Sequence, residues 1–344
     1  MLPLFSRGRS KMFTKKMINI EGREALLIEG LEDYSLTDTF ECGQCFRYLR
    51  LSPDASGKHN RIGENNSGYV EYMTVVKDTL VFVGQRHRSE LLFFGVDENT
   101  FDNVLLSYFA LDVDYAEIRR DIMANTDSEF LKKAAECASG IRILRQDLWE
   151  TLFSFIISQN NNIPRIMGII RRISLRYGRN LAAERGLSVC PIEARGFSCG
   201  GGMDLEMCKG CGACYTFPTP DDVNACPEGL LEARPGFRYK YLTDAAIRVG
   251  DGEIDLQRIF NEHSYEYTVS ELMKIKGVGE KVASCTSLFA FSNLEAFPID
   301  VWMRRAIDEY FDGNLDYKSL GKYAGVAQQY IFHYIRYLNG AQQI

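Results

Sequence analysis

The chain has 344 residues, 46% apolar and 25% charged, enough to bury sizeable cores in two or three compact domains. No run of about 18 apolar residues occurs, which excludes a membrane-spanning helix. The net charge of −6 argues mildly against a general nucleic-acid binder.

Residues 1–17 carry Arg7, Arg9, Lys11, Lys15 and Lys16 with no apolar core after them, so they read as a flexible N-terminal arm and a poor signal peptide. From 18 to 100 short alternating segments dominate, such as Tyr69 to Val76 and Leu80 to Val83. Lys77-Asp78 between these two makes the turn of a β hairpin. From 101 to 344 the period becomes helical. Leu148 to Ile157 is a strongly apolar helix, Ile163 to Tyr177 an amphipathic one, and Leu320 to Leu338 a long last one. Thr268-Val269-Ser270-Glu271 reads as a capping box for a further helix. The fold class is α+β: an antiparallel β domain followed by an all-helical domain, with a cysteine-rich insert at 181–214.

Five of the ten cysteines (Cys190, Cys199, Cys208, Cys211 and Cys214) fall in this insert. Cys208-Lys209-Gly210-Cys211-Gly212-Ala213-Cys214 lets neighbouring thiolates reach one metal at little ordering cost, whereas disulfides are not expected inside a cell. The expected ligands are Cys199, Cys208, Cys211 and Cys214, with Cys190 as the alternative fourth. The expected metal is a structural zinc, with a [4Fe–4S] cluster as the alternative.

Basic residues are concentrated. Arg165, Arg171, Arg172, Arg176 and Arg179 occur between Ile163 and Asn180 without an acid, and Arg234, Arg238 and Lys240 follow between Arg234 and Tyr241. Further on, Leu272 to Ala283 reads as helix, Gly277-Val278-Gly279 hairpin and helix. Such a hairpin turns N–H groups outward, where they can hold a DNA phosphate. Lys281 opens the second helix, and Asp300 follows in the apolar run Phe297-Pro298-Ile299-Asp300-Val301. An amine facing an isolated carboxylate can attack a sugar carbon and form a Schiff base. A plain N-cap is the structural reading of Asp300, and a solvated side chain that of Lys281.

The hairpin, Lys281 and Asp300 resemble the helix-hairpin-helix glycosylase superfamily. Cys42-Gly43-Gln44-Cys45-Phe46-Arg47 is similar to the Gly-Gln-Ser-Phe-Arg signature of its 8-oxoguanine DNA glycosylase/AP lyase branch. The segments Ile141 to Asp147, Phe153 to Ile156, Asn160 to Ile163, Gly236 to Tyr239 and Tyr323 to Gln328 follow in family order.

The resemblance implies an N-terminal TBP-like β domain and a DNA repair enzyme that removes 8-oxoguanine, preferentially opposite cytosine, with associated strand cleavage. It implies Lys281 and Asp300 as catalytic residues. Gly43, Cys285, Pro298, Gln328 and Phe332, together with Asp300, would hold the flipped base. Asn160, Arg165, Phe237, Arg238, Gly277, Gly279 and Trp302 would face DNA. Relatives have tyrosine at the Phe237 position and histidine at the Trp302 position. The carbonyls of Met273, Ile275 and Val278 could hold a monovalent cation, as in relatives. The implied partner is double-stranded DNA containing 8-oxoguanine, bound by a monomer in the cytoplasm with the nucleoid. No cofactor is expected for the chemistry itself. The alternatives are a glycosylase of this fold for another oxidised or alkylated base, and a non-catalytic DNA-binding protein.

Overall fold

The computed structural model describes residues 13–51, 68–186 and 212–340. Strands β1 (Thr14–Ile20), β2 (Arg23–Glu29), β3 (Tyr48–Arg50), β4 (Val70–Val76), β5 (Thr79–Gln85) and β6 (Glu90–Phe94) form one antiparallel sheet in the order β1-β2-β6-β5-β4-β3. Lys77 and Asp78 close the β4–β5 hairpin, with Val76 opposite Thr79 and Lys77 at a φ of 54°.

β1 starts at Thr14, inside the stretch expected to be a flexible arm. Ile18 and Ile20 pack against the sheet, and the Lys15 amine meets Asp102 at 2.7 Å. The basic residues of this stretch had masked its apolar contacts.

Both faces of the central strands are buried. Leu26, Ile28, Tyr72, Val81, Val83 and Phe93 pack on Phe40 of helix α1 (Leu36–Glu41) and on Phe101, Leu105 and Phe109 of the helical stretch 98–108 and its end. On the other face Leu27, Met73, Leu80, Phe82 and Leu92 are covered by Leu181, Ala182 and Cys214. The strands therefore read as near-continuous apolar runs.

The helical part comprises α2 (Tyr115–Ala124), α3 (Glu129–Cys137), α4 (Leu148–Ser158), α5 (Ile163–Tyr177), α6 (Pro220–Ala225), α7 (Tyr239–Gly250), α8 (Leu256–Glu262), α9 (Tyr265–Leu272), α10 (Glu280–Phe289), α11 (Val301–Tyr310) and α12 (Ala324–Leu338). One apolar core joins them, and α4 is buried nearly all round because it runs through that core.

Two local expectations change. α9 starts one turn early, capped by Ser264, whose Oγ accepts from the Tyr267 N–H at 3.2 Å. Thr268 lies inside the helix and donates its hydroxyl to the Ser264 carbonyl at 2.8 Å, so it caps nothing. α12 starts at Ala324 and not at 320, because Gly321 (φ 66°, ψ −147°) breaks the helical path and leaves 317–323 as a 3-10 turn.

The loop Cys42 to Arg47 joins sheet and helices. Buried Gln44 donates to the carbonyls of Thr39 (2.8 Å) and Arg142 (2.7 Å) and accepts from the Leu144 N–H at 2.8 Å. Gln146 donates back to the Gln44 carbonyl at 2.8 Å, and Arg47 pairs with Glu150 of α4 at 2.8 Å. Where the chain leaves α5, residues 179–181 run beside 214–216. The Leu181 N–H donates to the Cys214 carbonyl at 2.9 Å and the Thr216 N–H to the Arg179 carbonyl at 3.0 Å.

Candidate active site

The chain enters α10 through Gly277 and Gly279. Gly277 has a φ of +79°, and a Cβ there would come within 2.4 Å of the Tyr241 ring, so the turn needs glycine. The Lys276 N–H donates to Asp244 of α7 at 2.8 Å, and the Val278 N–H donates to the Ile275 carbonyl at 3.1 Å. The N–H groups of Gly277 and Gly279 take no part in these bonds. Both glycines are exposed and α10 has no side-chain cap, so its positive end can accept an anion.

Lys281 stands in the first turn of α10, half-buried, with its amine 5.3 Å from the centre of the Phe155 ring. Phe155 itself packs on Phe46 of the Cys42–Arg47 loop and on Phe289 of α10, each at 5.5 Å. Asp300 caps α11: its Oδ1 accepts from the Met303 N–H at 2.8 Å. Burial raises the Asp300 carboxyl above the ordinary carboxylate range. The Met303 amide, the nearby Lys281 charge, the Trp302 amide and the Arg336 charge pull the other way. Cys285, one turn along α10 from Lys281, is buried, and that burial pushes its thiol up while the lysine draws it down.

Gln328, Phe332 and Arg336 share one stripe of α12 at spacings of four. The Gln328 carboxamide is fixed at both ends, donating to the Pro298 carbonyl at 3.1 Å and accepting from Gln329 Nε2 at 2.8 Å. Arg336 is buried behind the Phe332 ring, 5.3 Å from its centre. Gly43 has a φ of +81°, and a Cβ on it would lie 3.6 Å from Phe332 Cε1 and 3.4 Å from Ile163 Cδ1. The structure thus brings Gly43 against Phe332, and Lys281 near both Asp300 and Cys285.

A second group lies where α4 meets α5. Asn160 is exposed at a φ of 48°, and Asn162 caps α5 by accepting from the Arg165 N–H at 3.0 Å. Phe237 is 51% exposed, with its ring 4.4 Å from the Arg238 guanidinium. Arg165 is exposed, but Arg238 is only 1% exposed and donates to the carbonyls of Gln159, Asn160 (2.9 Å) and Pro235 (3.1 Å). The expected base reader is here a clamp on the Asn160 loop, because that loop turns its carbonyls toward it. Trp302 is half-buried beside Arg305, next to Val301, which is 83% exposed.

Sequence reading missed Gln329, Asp244, Tyr241 and Arg336. The doubled Gln328-Gln329 was a visible signal for the first; the others act only through tertiary contact. Of the expected metal ligands, Cys190, Cys199, Cys208 and Cys211 lie outside the described residues. Cys214 is buried on the sheet, its Sγ 3.9 Å from Met73 Sδ. Among the described residues no three His, Cys, Asp or Glu side chains converge on a metal position. Likewise, no described helix is long and apolar enough to cross a membrane.

The family model for the 8-oxoguanine DNA glycosylase N-terminal domain matches residues 26–152. The chain is similar to the crystal structure of the Clostridium acetobutylicum 8-oxoguanine glycosylase/lyase in complex with DNA, at 31% identity and a TM-score of 0.72. That match covers 95% of this chain and 98% of the other. This chain is 28% identical over 289 residues to the N-glycosylase/DNA lyase of Saccharomyces cerevisiae, covering 78% of this chain and 66% of the yeast protein. It thus spans just under two thirds of that relative. A 3-methyladenine DNA glycosylase from Archaeoglobus fulgidus, 19% identical with a TM-score of 0.55, shares the fold. The fold and the Lys281–Asp300 site define a helix-hairpin-helix glycosylase class, and within it the chain belongs to the 8-oxoguanine DNA glycosylase family.

The Asp300 environment sets a pH dependence of stability. A carboxyl harder to ionise when folded stabilises the native state fully below its unfolded pKa, about 3.9, and loses that contribution as pH rises through the folded value. Asn caps helices well and stays neutral. Asp300→Asn should therefore be at least as stable as wild type at neutral pH, with the advantage vanishing in acid. Denaturation of both proteins across this range checks it; a pH-independent difference would rule it out.

Proposed function

We propose that this protein excises 8-oxoguanine from duplex DNA and then cleaves the strand, acting as a bifunctional DNA N-glycosylase and AP lyase. The observation that carries the reading is the Lys281 amine on the first turn of the hairpin's second helix, close enough to Asp300 for its charge to favour the carboxylate. The duplex is bent and the damaged nucleotide turned out of the stack. Asn160 fills the gap, with Phe237 wedged beside it. Gly277 and Gly279 hold a backbone phosphate through their N–H groups, and Trp302 lies along the same backbone.

In the pocket the Gly43 carbonyl accepts the N7 hydrogen that 8-oxoguanine has and guanine lacks. Cys285 and Phe332 sandwich the base, Gln328 bonds its Watson–Crick edge, and the Pro298 backbone lies against it. The fixed carboxamide of Gln328 and the φ of +81° at Gly43 support these roles, since both present their polar groups without further ordering. The neutral Lys281 amine attacks C1′. The bond to the base breaks, and its electron pair leaves with the base. Asp300 stabilises the positive charge that builds on the sugar. Loss of the amine proton and ring opening give the Schiff base. Removal of a C2′ proton then expels the 3′ phosphate by β-elimination. No cofactor enters this chemistry. Carbonyls of the hairpin at Met273, Ile275 and Val278 offer a monovalent cation a position against the phosphate. The protein acts as a monomer, in the cytoplasm with the nucleoid.

Lys281→Gln keeps the approximate shape and removes the nucleophile. It should abolish base release and borohydride trapping on an 8-oxoguanine duplex, while binding to that duplex persists. Excision close to wild type would sink the mechanism, and a wild-type protein that binds without trapping would point to a silent DNA binder.

Arg165 and Arg238 are the candidate donors to the orphaned cytosine. This role requires Arg238 to exchange its carbonyl partners for the base. Excision should be faster opposite cytosine than opposite adenine, and Arg165→Ala should narrow the gap. Equal wild-type rates would refute the assignment.

The cysteine-rich insert binds a structural metal in this reading, zinc before a [4Fe–4S] cluster. Its ligands are Cys199, Cys208, Cys211 and Cys214, with Cys190 as the alternative fourth. Elemental analysis with an absorption spectrum should find about one zinc in a colourless protein. A brown protein would mean the cluster, and a stable metal-free one would defeat both.

A further inference from the structure

The turn 233–238 is clamped from two sides by guanidinium groups. Arg172 of α5 donates through Nε and Nη2 to the Ala233 carbonyl at 3.1 and 3.0 Å. Arg238 donates to Pro235 and to the loop around Asn160. Between the two clamps stands Arg234, exposed, in a left-handed conformation (φ 56°, ψ 51°) that side chains other than glycine and asparagine avoid.

Its charge finds no counter-charge among the described residues. Among the described residues neither Arg234 nor Arg165 has a carboxylate partner, and Glu232, the nearest acid in sequence, pairs with Arg176 at 3.2 Å. The cations instead repel each other: Arg234 and Arg165 both add to the burial that lowers the Arg172 guanidinium, and Arg165 does the same at Arg238. Four arginines thus share one edge of the molecule, two of them spent on carbonyls and two left as bare charge. An arrangement that is unfavourable in the free protein is what an external polyanion would relieve.

We infer that Arg234 is a DNA phosphate-binding residue, held on the crest of the 233–238 turn by Arg172. It engages the duplex backbone beside Asn160 and Phe237. The inference rests on the duplex-binding reading given above. It assigns the residue a sequence-independent role, one of register and affinity and not of base choice.

The backbone conformation supplies a discriminating variant. Arg234→Gly removes the cation and relaxes the turn, so the variant should melt no lower than wild type. Its duplex affinity should nevertheless fall and depend less on salt. Binding is measured on a duplex carrying a tetrahydrofuran abasic analogue opposite cytosine, which cannot form the Schiff base. One lost phosphate contact should reduce the slope of log Kd against log salt by about 0.9, so over a fourfold rise in salt Kd should climb about threefold less than in wild type. Arg234→Lys, which keeps the charge, should retain the wild-type slope. An Arg234→Gly slope equal to wild type, or a lysine variant as flat as the glycine one, overturns the inference while leaving the duplex-binding reading intact. A wild type that fails to bind the duplex overturns both.

Discussion

The buried carboxamide of Gln44 is the contact on which the candidate site depends. It reaches three backbone groups on two segments about a hundred residues apart, and Gln146 closes the ring by bonding back to the Gln44 carbonyl. These groups are buried, so losing the carboxamide would leave the Arg142 carbonyl and the Leu144 N–H without it, at a cost of about 1–3 kcal/mol apiece. The adjacent Gly43 is therefore held in place by the same bonds that fasten the sheet to the helices. Its left-handed backbone then sets it against Phe332 without any side chain of its own. The pocket wall and the domain junction are one structure.

The two catalytic candidates draw on helix ends in opposite ways. Lys281 sits in the first turn of α10, beyond a glycine turn that leaves the N–H groups open. Asp300 closes the start of α11 through its bond to Met303. A capping carboxylate cannot swing freely, so the acid is fixed before any substrate arrives. Burial then makes its charge costly, which sharpens its attraction for positive charge developing nearby. Stability and chemistry use the same carboxylate, and the structural reading of Asp300 as a cap is compatible with the catalytic one.

Much of the architecture was legible because it is written in local patterns. The β4–β5 turn at Lys77-Asp78, the helix from Ile163 to Tyr177 and the glycine hairpin all follow from period and turn chemistry. Local signals failed at the start of α9: the Thr268 capping box was the expectation, but Ser264, one turn earlier, caps the helix. Gly321 likewise stopped a helix whose apolar pattern continued past it. Arg238 shows a different limit. Its presence near the DNA-facing group could be read from sequence, but not that the carbonyls of Gln159 and Asn160 would turn toward it. Partners of that kind exist only once the chain is folded.

The paired strands of chain at 179–181 and 214–216 form a neck. Its two sides are bonded to each other, and Leu181, Ala182 and Cys214 are rooted on the sheet. At the neck the chain that leaves α5 is bonded to the chain that leads into α6, so the two are joined there by hydrogen bonds as well as by the covalent chain. The neck is thus a docking point at which evolution, or an engineer, can exchange one module for another while the catalytic framework stays in register.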